Sequence, residues 1–416
     1  MAAHWTFLVY MAGNNSLTEA ASDDLGEMRK VGSSDAVKVL AFVKQESGPA
    51  RHIVVGTSEA TDVVEALAGD VDSGNPQTVV DFVRWGVAKA PAEKYALVLW
   101  NHGGGWEPDD FEQLYSEVRR DAAARLDTRE TSRLRASPLA RAFFTTTVKK
   151  VLGQPTAGER AICSDDGSGH SLDTIELGKL LKLVGQAIGH PLDLLGMDAC
   201  LMSTLEVAFE AAPYATVVVG SEEPEPNAGW CYDQILADLA ATPTMDPAAL
   251  AKVVVDRYVA SYKDSPGDWP VTQCALATAQ LEQGAAALDR LGNALRTQVR
   301  QDYRPVQRAQ AKGILQDATD LSLVDLARFC ASLLTAANLQ DELRAATTAA
   351  QAAVTAQPVV LAEGHLGPTT EGYGGVSVYF PAPTESVSKY YRDLRFAKQH
   401  RWDEFLRSYQ RAVRGT

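Results

Sequence analysis

The segment YALVLWN at residues 95–101 decides the fold, and HGGGW follows it directly at residues 102–106. A short apolar run bounded by turn residues predicts a strand that is buried on both faces. A second such run, LDLLGMDA at residues 192–199, ends at Cys200. Strands buried on both faces belong to parallel sheets covered by helices, so the two runs predict an α/β fold.

The rest of the first half of the chain alternates in the same way. Apolar strands are predicted at residues 5–13, 36–45 and 215–223, with helical stretches such as residues 75–91 between them. This alternation favours a mostly parallel central sheet with helices on both faces. Asn15 or Ser16 is the predicted N-cap of the first helix, and Asp173 that of the helix over residues 173–188.

The alternation stops at about residues 107–160, where the chain is polar, rich in Arg and Ala, and basic. A long insertion without core strands is usually functional or mobile. We therefore predict a core at residues 1–245 that carries this insertion. Residues 246–416 are predicted to be a mainly helical extension, whose late strand at residues 373–381 packs on the core.

Composition narrows the classes of partner. The net charge of -14 argues against nucleic acid or an anionic membrane as the main partner. No apolar run is long enough to span a membrane, and the first residues resemble a core strand rather than a signal peptide. The five cysteines are odd in number and lack CxxC spacing, which fits a reducing compartment. A cytoplasmic location is therefore expected.

Two strand ends carry reactive side chains. In open parallel sheets ligands bind at the carboxyl ends of strands, and here one end carries His102 and the other Asp198 and Cys200. If the strands are neighbours, a helix starting at Cys200 would favour the thiolate, and His102 would transfer protons. The same residues also fit a buried core cysteine and a histidine that caps a strand. The pattern alone leaves both interpretations open.

Six blocks together resemble the clostripain family of caspase-like cysteine peptidases, in the family's order and from about residue 5 to about residue 381. They are LVYMAGNNSL, LVLWNHGGGW, DLLGMDACLMSTLEVAFE, VVVGSEEPEPNAGWCY, LSLVDLARF and GVSVYFP. The resemblance implies a caspase-like three-layer α/β/α sandwich and a cysteine endopeptidase. It implies that His102 and Cys200 are the catalytic dyad, that a thioester forms on Cys200, and that Gly103 and the Cys200 amide form the oxyanion hole.

The resemblance also implies a substrate preference. The family cleaves proteins or peptides after Arg, less often Lys, and its specificity carboxylate lies two residues before the nucleophile, at Asp198. A buried carboxylate suits a guanidinium because it forms charge-assisted hydrogen bonds. The alternative is that Asp198 caps a helix. Among the glutamates 222, 223 and 225, Glu222 is the expected pocket residue and Trp230 its flank, although solvated loop charge also explains such glutamates.

The insertion predicts a zymogen. Family members often mature by cleavage between the His and Cys strands, and an Arg-rich loop would occupy an Arg-selective cleft until it is cut. Cleavage by the enzyme itself or by an upstream protease, in an intracellular proteolytic cascade, is the expectation; a basic surface insertion is the alternative. The candidate processing sites are Arg119, Arg120, Arg125, Arg129, Arg133 and Arg135.

This chemistry needs no cofactor. Some family members depend on calcium, but the segments SDDGSG and SDD lack EF-hand spacing, so no metal ligand is assigned. Two other functions stay open: a catalytically silent caspase-like protein that binds peptides, and a thioesterase or amidase. The presence of His102, Cys200 and Asp198 counts against the first. The second lacks a Gly-x-Ser-x-Gly motif around the nucleophile.

Overall fold

A computed structural model describes residues 2–103, 162–168, 170–263, 270–316, 322–356, 358–388 and 390–415. Its strands are β1 (Ala3–Gly13), β2 (Val37–Gln45), β3 (Arg51–Val54), β4 (Val63–Ala66), β5 (Ala92–Trp100), β6 (Ile162–Asp165), β7 (His170–Leu172), β8 (Leu192–Asp198), β9 (Ala215–Gly220), β10 (Val271–Ala277), β11 (Leu323–Asp325), β12 (Val360–Leu366) and β13 (Ser377–Tyr379). Its helices are α1 (Thr18–Val31), α2 (Pro76–Lys89), α3 (Thr174–Ile188), α4 (Leu205–Ala211), α5 (Tyr232–Ala241), α6 (Pro247–Ser261), α7 (Thr278–Gln301), α8 (Arg304–Gly313), α9 (Leu326–Leu334), α10 (Asp341–Val354), α11 (Arg395–His400) and α12 (Trp402–Arg414).

Nine strands form one mixed sheet in the order β12-β10-β9-β8-β5-β1-β2-β3-β4. The five central strands, from β9 to β2, are parallel, as the apolar runs predict. The two outer strands on each side are antiparallel to their neighbours. On one side the cause is chain length, because five residues separate β2 from β3 and a parallel connection needs a dozen or more.

Both faces of the central sheet are covered. Alternate residues of β1 point to opposite sides, so Leu8 and Tyr10 lie in one core and Phe7 and Val9 in the other. Helices α2, α3 and α7 contribute to the first core, and α1, α5 and α6 to the second. The predicted three-layer α/β/α sandwich is confirmed.

The chain beyond residue 245 is mainly helical, but it also completes the sheet. Strands β10 and β12 pair beside β9. The predicted late strand is β13, which pairs with β11 in a separate two-stranded sheet. It reaches the core through Ser377, whose N–H donates to the Ser203 carbonyl at 3.0 Å. The division at residue 245 stays a prediction.

The predicted helix starts fare differently. Asp173 caps α3, as predicted, and forms a reciprocal capping box with Glu176. The prediction for α1 is wrong, because its N-cap is Leu17, which makes no side-chain capping bond. Asn15 instead accepts a hydrogen bond from the Leu17 N–H within the preceding turn. In the described ranges, none of the helices is long and apolar enough to cross a bilayer.

We expect Asp173→Ala to lower the free energy of unfolding by about 1–2 kcal/mol, because the first turn of α3 loses its acceptor. Urea denaturation followed by circular dichroism measures the change. Asp35→Ala, at an exposed carboxylate, is the matched control and should leave the midpoint in place. Equal midpoints for both variants would show that the capping box adds nothing.

Candidate active site

The predicted reactive residues lie on adjacent strands. Strands β5 and β8 are parallel neighbours, with Trp100 opposite Asp198, so His102 and Cys200 each follow the paired residue by two positions. Gly103, the residue after His102, packs directly against the main chain of Cys200. A Cβ atom at Gly103 would come within 2.2 Å of the Cys200 carbonyl oxygen. The carboxyl edge of the sheet therefore brings imidazole and thiol segments together, as the strand ends predict.

Asn101 holds the end of β5. Its buried side-chain amide donates to the carbonyls of Ala12, at the end of β1, and of Ser164, in β6, the latter at 3.0 Å. Its Oδ1 accepts from the Ser164 N–H at 3.1 Å. Three chain segments are thereby joined one residue before His102. Sequence reasoning missed this residue, because an Asn at a strand end is equally typical of a simple turn.

His102 contacts Ser16, a residue that the sequence analysis predicted as a possible helix N-cap. Its Nε2 lies 2.9 Å from Ser16 Oγ, which comes from the turn between β1 and α1 and not from a helix cap. Partial burial lowers the pKa of His102, and the negative charge of Asp166 partly opposes this shift. The imidazole is therefore neutral at neutral pH and able to accept a proton.

Cys200 lies in a turn and not at the start of a helix. Helix α4 begins at Leu205, and its N-cap is Thr204, whose side chain accepts from the Val207 N–H. The predicted help of a helix N-terminus to the thiolate is therefore wrong, because that effect fades within the first turn. Leu201, the next residue, has a left-handed φ of 62°, which is uncommon outside glycine. The nucleophile candidate thus sits on a tight, constrained turn.

Main-chain groups surround the thiol instead. The Glu225 N–H donates to Cys200 Sγ at 3.2 Å. Burial raises the pKa of Cys200, and hydrogen bonds from the main chain of Glu225 and Gly103 act in the opposite direction. The negative charge of Asp198 adds a smaller rise. The thiol is therefore protonated at neutral pH, so a nucleophilic role for Cys200 would need a general base, and the neutral imidazole of His102 is the candidate.

Asp198 is a buried carboxyl at the end of β8, 4% exposed. Its Oδ2 accepts hydrogen bonds from Tyr232 Oη at 2.7 Å and from the Trp230 N–H at 3.3 Å. Burial raises the pKa of Asp198, and these donors limit the rise. The alternative that Asp198 caps the following helix is excluded, since Thr204 does so. The pocket role that the resemblance implies for Asp198 stays a prediction.

Glu225, and not Glu222, is the glutamate beside Asp198. Gln273 Nε2 donates to the Oε1 atom of Glu225 at 3.2 Å, while the Oε2 atom of Glu225 is buried without a hydrogen-bond partner among the described residues. Burial and the charge of Asp198 raise the pKa of Glu225 well above its usual range. Glu222 is fully buried against Asp325. The prediction chose Glu222 because it is the glutamate nearest in sequence to the end of the strand. Sequence distance does not show which way each glutamate side chain of the loop points.

Asp24 adds a third acid beneath this pair. It lies on α1, accepts from Trp100 Nε1 at 2.6 Å, and is almost fully buried. Burial, with the charge of Asp198, raises the pKa of Asp24 to about 9. It is therefore neutral at neutral pH. The sequence gave no indication that Asp24 lies near Asp198, because the two residues are 174 positions apart.

Trp230 has a different place from the one expected. Its ring is 0% exposed and packs on β8, where a Cβ at Gly196 would lie 2.7 Å from the indole. The ring is thus part of the core and does not flank an open pocket, while its main-chain N–H reaches Asp198. A tryptophan that follows a glycine is typical both of a core position and of a pocket wall, so the sequence could not distinguish the two positions.

Two further predictions concern the insertion and metals. The candidate processing sites lie outside the described residues; they are Arg119, Arg120, Arg125, Arg129, Arg133 and Arg135. Within the parts of the chain that the structure does describe, no three His, Cys, Asp or Glu side chains are grouped so as to hold a metal ion. A calcium requirement stays open.

We expect iodoacetamide to label Cys200 with a rate that rises with pH through a midpoint above that of an ordinary thiol, because burial raises the pKa of Cys200. Mass spectrometry identifies the labelled residue, since Cys163, Cys231, Cys274 and Cys330 are buried. A rate that is already maximal at pH 6 would show a preformed thiolate and contradict the neutral resting state. Cys200→Ala provides the background.

Gly103→Ala should reduce turnover strongly while the fold persists. The added Cβ meets the main chain of Cys200, which cannot yield without moving the thiol turn, and displacement of about 1 Å costs on the order of 10²-fold in rate. Gly26→Ala is the control, because nothing lies within 4 Å of a Cβ there. Unchanged turnover in Gly103→Ala would show that the two segments are not closely packed.

Comparison with known proteins agrees with this geometry. Residues 9–134 and 150–409 match the model of the clostripain family. Clostripain of Hathewaya histolytica is 24% identical over 194 residues, which are 45% of this chain and 28% of that protein. The chain thus matches less than a third of the length of this curated relative.

Solved structures match over nearly the whole chain. A secreted C11 cysteine protease of Bacteroides thetaiotaomicron, in complex with an irreversible peptide inhibitor, has a TM-score of 0.63 and 19% identity over 96% of this chain and 100% of its own. An inactive zymogen C11 protease of Parabacteroides distasonis has a TM-score of 0.64 and 18% identity, over 96% and 99%. At these identities the likeness shows the fold. Together with the family match, it establishes that this chain belongs to the clostripain family and has the caspase-like fold of the C11 cysteine proteases.

Proposed function

We propose that this protein is a cysteine endopeptidase that cleaves proteins after Arg, and less often after Lys. The supporting observation is the edge of the sheet, where Cys200, His102 and a buried pair of carboxyls meet. Family membership supports the reaction class. Asp198 ends β8 and precedes Cys200 by two residues.

The chemistry follows from the neutral resting state. His102 takes the thiol proton as the sulfur attacks the carbonyl carbon, and the resulting oxyanion is held by the N–H groups of Gly103 and Cys200. His102 returns the proton to the leaving amine, and the C–N bond breaks to leave a thioester on Cys200. Water, deprotonated by His102, then attacks the thioester, and the acid product leaves with the thiol restored.

The carboxyl pair supports the choice of a cation. Asp198 and Glu225 lie together, and a planar guanidinium carries several N–H donors for two carboxylates. A lysine ammonium makes fewer directed bonds, so a weaker preference for Lys follows. An acidic substrate residue would meet like charge here, which argues against cleavage after Asp.

We further propose that the chain is made as a zymogen that is activated by cleavage within about residues 107–160, by itself or by an upstream protease. The Arg content of this segment supports the idea. The similar protein of Parabacteroides distasonis is itself described as an inactive zymogen. A cytoplasmic location and a role in a proteolytic cascade remain proposals from the sequence; a related protein of Bacteroides thetaiotaomicron is described as secreted.

Fluorogenic peptides ending in Arg, Lys or Asp test the proposal on wild type, Cys200→Ala and Asp198→Asn, before and after limited trypsin treatment. We expect hydrolysis after Arg, weaker hydrolysis after Lys, none after Asp and none in Cys200→Ala. Asp198→Asn should lose at least about 30-fold in kcat/KM for Arg, the equivalent of about 2 kcal/mol for one partner of a buried charge pair.

Asp35→Asn, at an exposed carboxylate, serves as the matched control and should keep full activity. Activity that appears only after nicking supports the zymogen, and activity without nicking keeps the peptidase but removes the need for processing. Silence with all three peptides in both states would contradict the peptidase and favour the catalytically silent, peptide-binding alternative.

A further inference from the structure

Three residues of the site follow three neighbouring strands. Strand β5 lies between β1 and β8 in the sheet, and the three strands are parallel. Ser16 follows the end of β1 by three residues, while His102 and Cys200 each follow the end of their strand by two. The carboxyl ends of parallel strands meet at one edge of a sheet. His102 therefore emerges between Ser16 on one side and Cys200 on the other.

The imidazole of His102 is directed to the β1 side. Its Nε2 lies 2.9 Å from Ser16 Oγ, in the turn between β1 and α1. The two nitrogens of an imidazole point in different directions, and each can make its own hydrogen bond. With Nε2 engaged by the hydroxyl on the β1 side, Nδ1 is the nitrogen left for a proton from the thiol on the β8 side.

The turn that carries Ser16 is held in place by its neighbours. The buried amide of Asn15 donates to the carbonyl of Ala12 at 3.1 Å and to that of Ser164 at 3.0 Å. The amide of Asn101 donates to the same two carbonyls. The residues next to the hydroxyl and next to the imidazole are thus fixed on one pair of main-chain oxygens. This frame holds the two groups at a set separation, although Ser16 itself is exposed.

Proton transfer favours one of the two neutral tautomers of His102. If the ring proton is on Nδ1, that nitrogen cannot accept another, and Nε2 has to accept from Ser16 Oγ. If the ring proton is on Nε2, Ser16 Oγ accepts it, and the lone pair of Nδ1 is available. The imidazolium formed by proton transfer also donates from Nε2. In the second tautomer the bond to Ser16 therefore persists from start to finish.

We infer that Ser16 is a positioning residue for His102, whose hydroxyl accepts the Nε2–H and so presents the lone pair of Nδ1 to the thiol of Cys200. The inference deepens the proposed peptidase function and rests on it, because a base is needed only if Cys200 is the nucleophile. As Sγ bonds to the substrate carbonyl carbon, the thiol proton passes to Nδ1 and the C=O electron pair moves to the oxyanion. The Nε2–H stays bonded to Ser16 Oγ.

A hydroxyl suits this role because it carries no charge. A carboxylate at the same place would raise the pKa of His102 and keep the ring protonated near neutral pH, a state in which it could not take a proton. Partial burial instead lowers the pKa of His102, despite the negative charge of Asp166. Ser16 therefore orients the ring and leaves it neutral.

The tautomer can be measured without any substrate. Long-range proton–nitrogen NMR correlations of the chain, isotope-labelled at the histidine nitrogens, distinguish a protonated from an unprotonated ring nitrogen. The signals of His102 are those that His102→Gln lacks. At neutral pH we expect the wild type to hold the proton on Nε2. Ser16→Ala should show both tautomers because the acceptor is gone, whereas Ser16→Thr keeps the hydroxyl and should restore the Nε2–H form.

Turnover gives an independent readout. In the peptidase-active form, Ser16→Ala should lower kcat for an Arg peptide about three- to tenfold with KM unchanged, the loss expected for one hydrogen bond made to the base. Ser16→Thr should recover most of the rate. Ser47→Ala, at an exposed serine between β2 and β3, is the matched control and should keep full turnover. Circular dichroism confirms that each variant is folded.

The outcomes separate this inference from the proposed function. A proton on Nδ1 in the wild type, or an unchanged tautomer in Ser16→Ala, would overturn the role of Ser16 and keep the peptidase. A raised KM with unchanged kcat in Ser16→Ala would assign Ser16 to substrate binding and would also overturn it. If the wild type cuts no Arg, Lys or Asp peptide but loses its Nε2–H form in Ser16→Ala, the peptidase is contradicted while the orientation of the ring is confirmed.

Discussion

The register between β5 and β8 is the constraint on which the site depends. Trp100 lies opposite Asp198, and both strands are buried on their two faces, so a slip by one residue would turn every apolar side chain to the wrong core. Packing of the sheet therefore fixes where both strands end. His102 and Cys200 are carried to one place by the same forces that fold the protein.

Acidic side chains dominate the electrostatics of the region around Cys200. Asp24, Asp198 and Glu225 lie within one buried region, and the two groups expected to perform the chemistry are both neutral at rest. Such a cluster is tolerated because burial keeps protons on it and because Tyr232, Trp230 and Gln273 donate hydrogen bonds. A buried acidic cluster of this kind would attract a positively charged side chain, which agrees with the proposed preference for Arg.

Much of the fold could be predicted because it rests on long apolar runs. Strands such as β1, β5 and β8 bury both faces, and a continuous apolar segment reports this directly. The capping of α3 by Asp173 was readable for a similar reason, since cap and helix are adjacent in the chain. The approach of the chain segments that carry His102 and Cys200 followed from the general rule for strand ends.

The features that the sequence did not predict depend on competition between possible helix caps or on contacts between residues far apart in the chain. Ser203 and Thr204 are better helix caps than Cys200, and this preference was the available signal that α4 begins later. Nothing local distinguishes Glu225 from Glu222, since their surroundings come from β8, β10 and β11. Ser16 was predicted as a helix N-cap and Asn101 resembled an ordinary turn residue, because their partners lie 86 and 63 positions away in sequence.

The turn that carries Cys200 is closed from behind by the far end of the chain. Ser203 Oγ donates to the Gly375 carbonyl at 2.6 Å, and Ser377 bonds back to Ser203 across 174 positions. A ribosome makes the cysteine long before it makes these partners. The turn that carries Cys200 therefore has its full set of hydrogen bonds only after residue 377 has been made, so its final shape depends on contacts of long sequence separation.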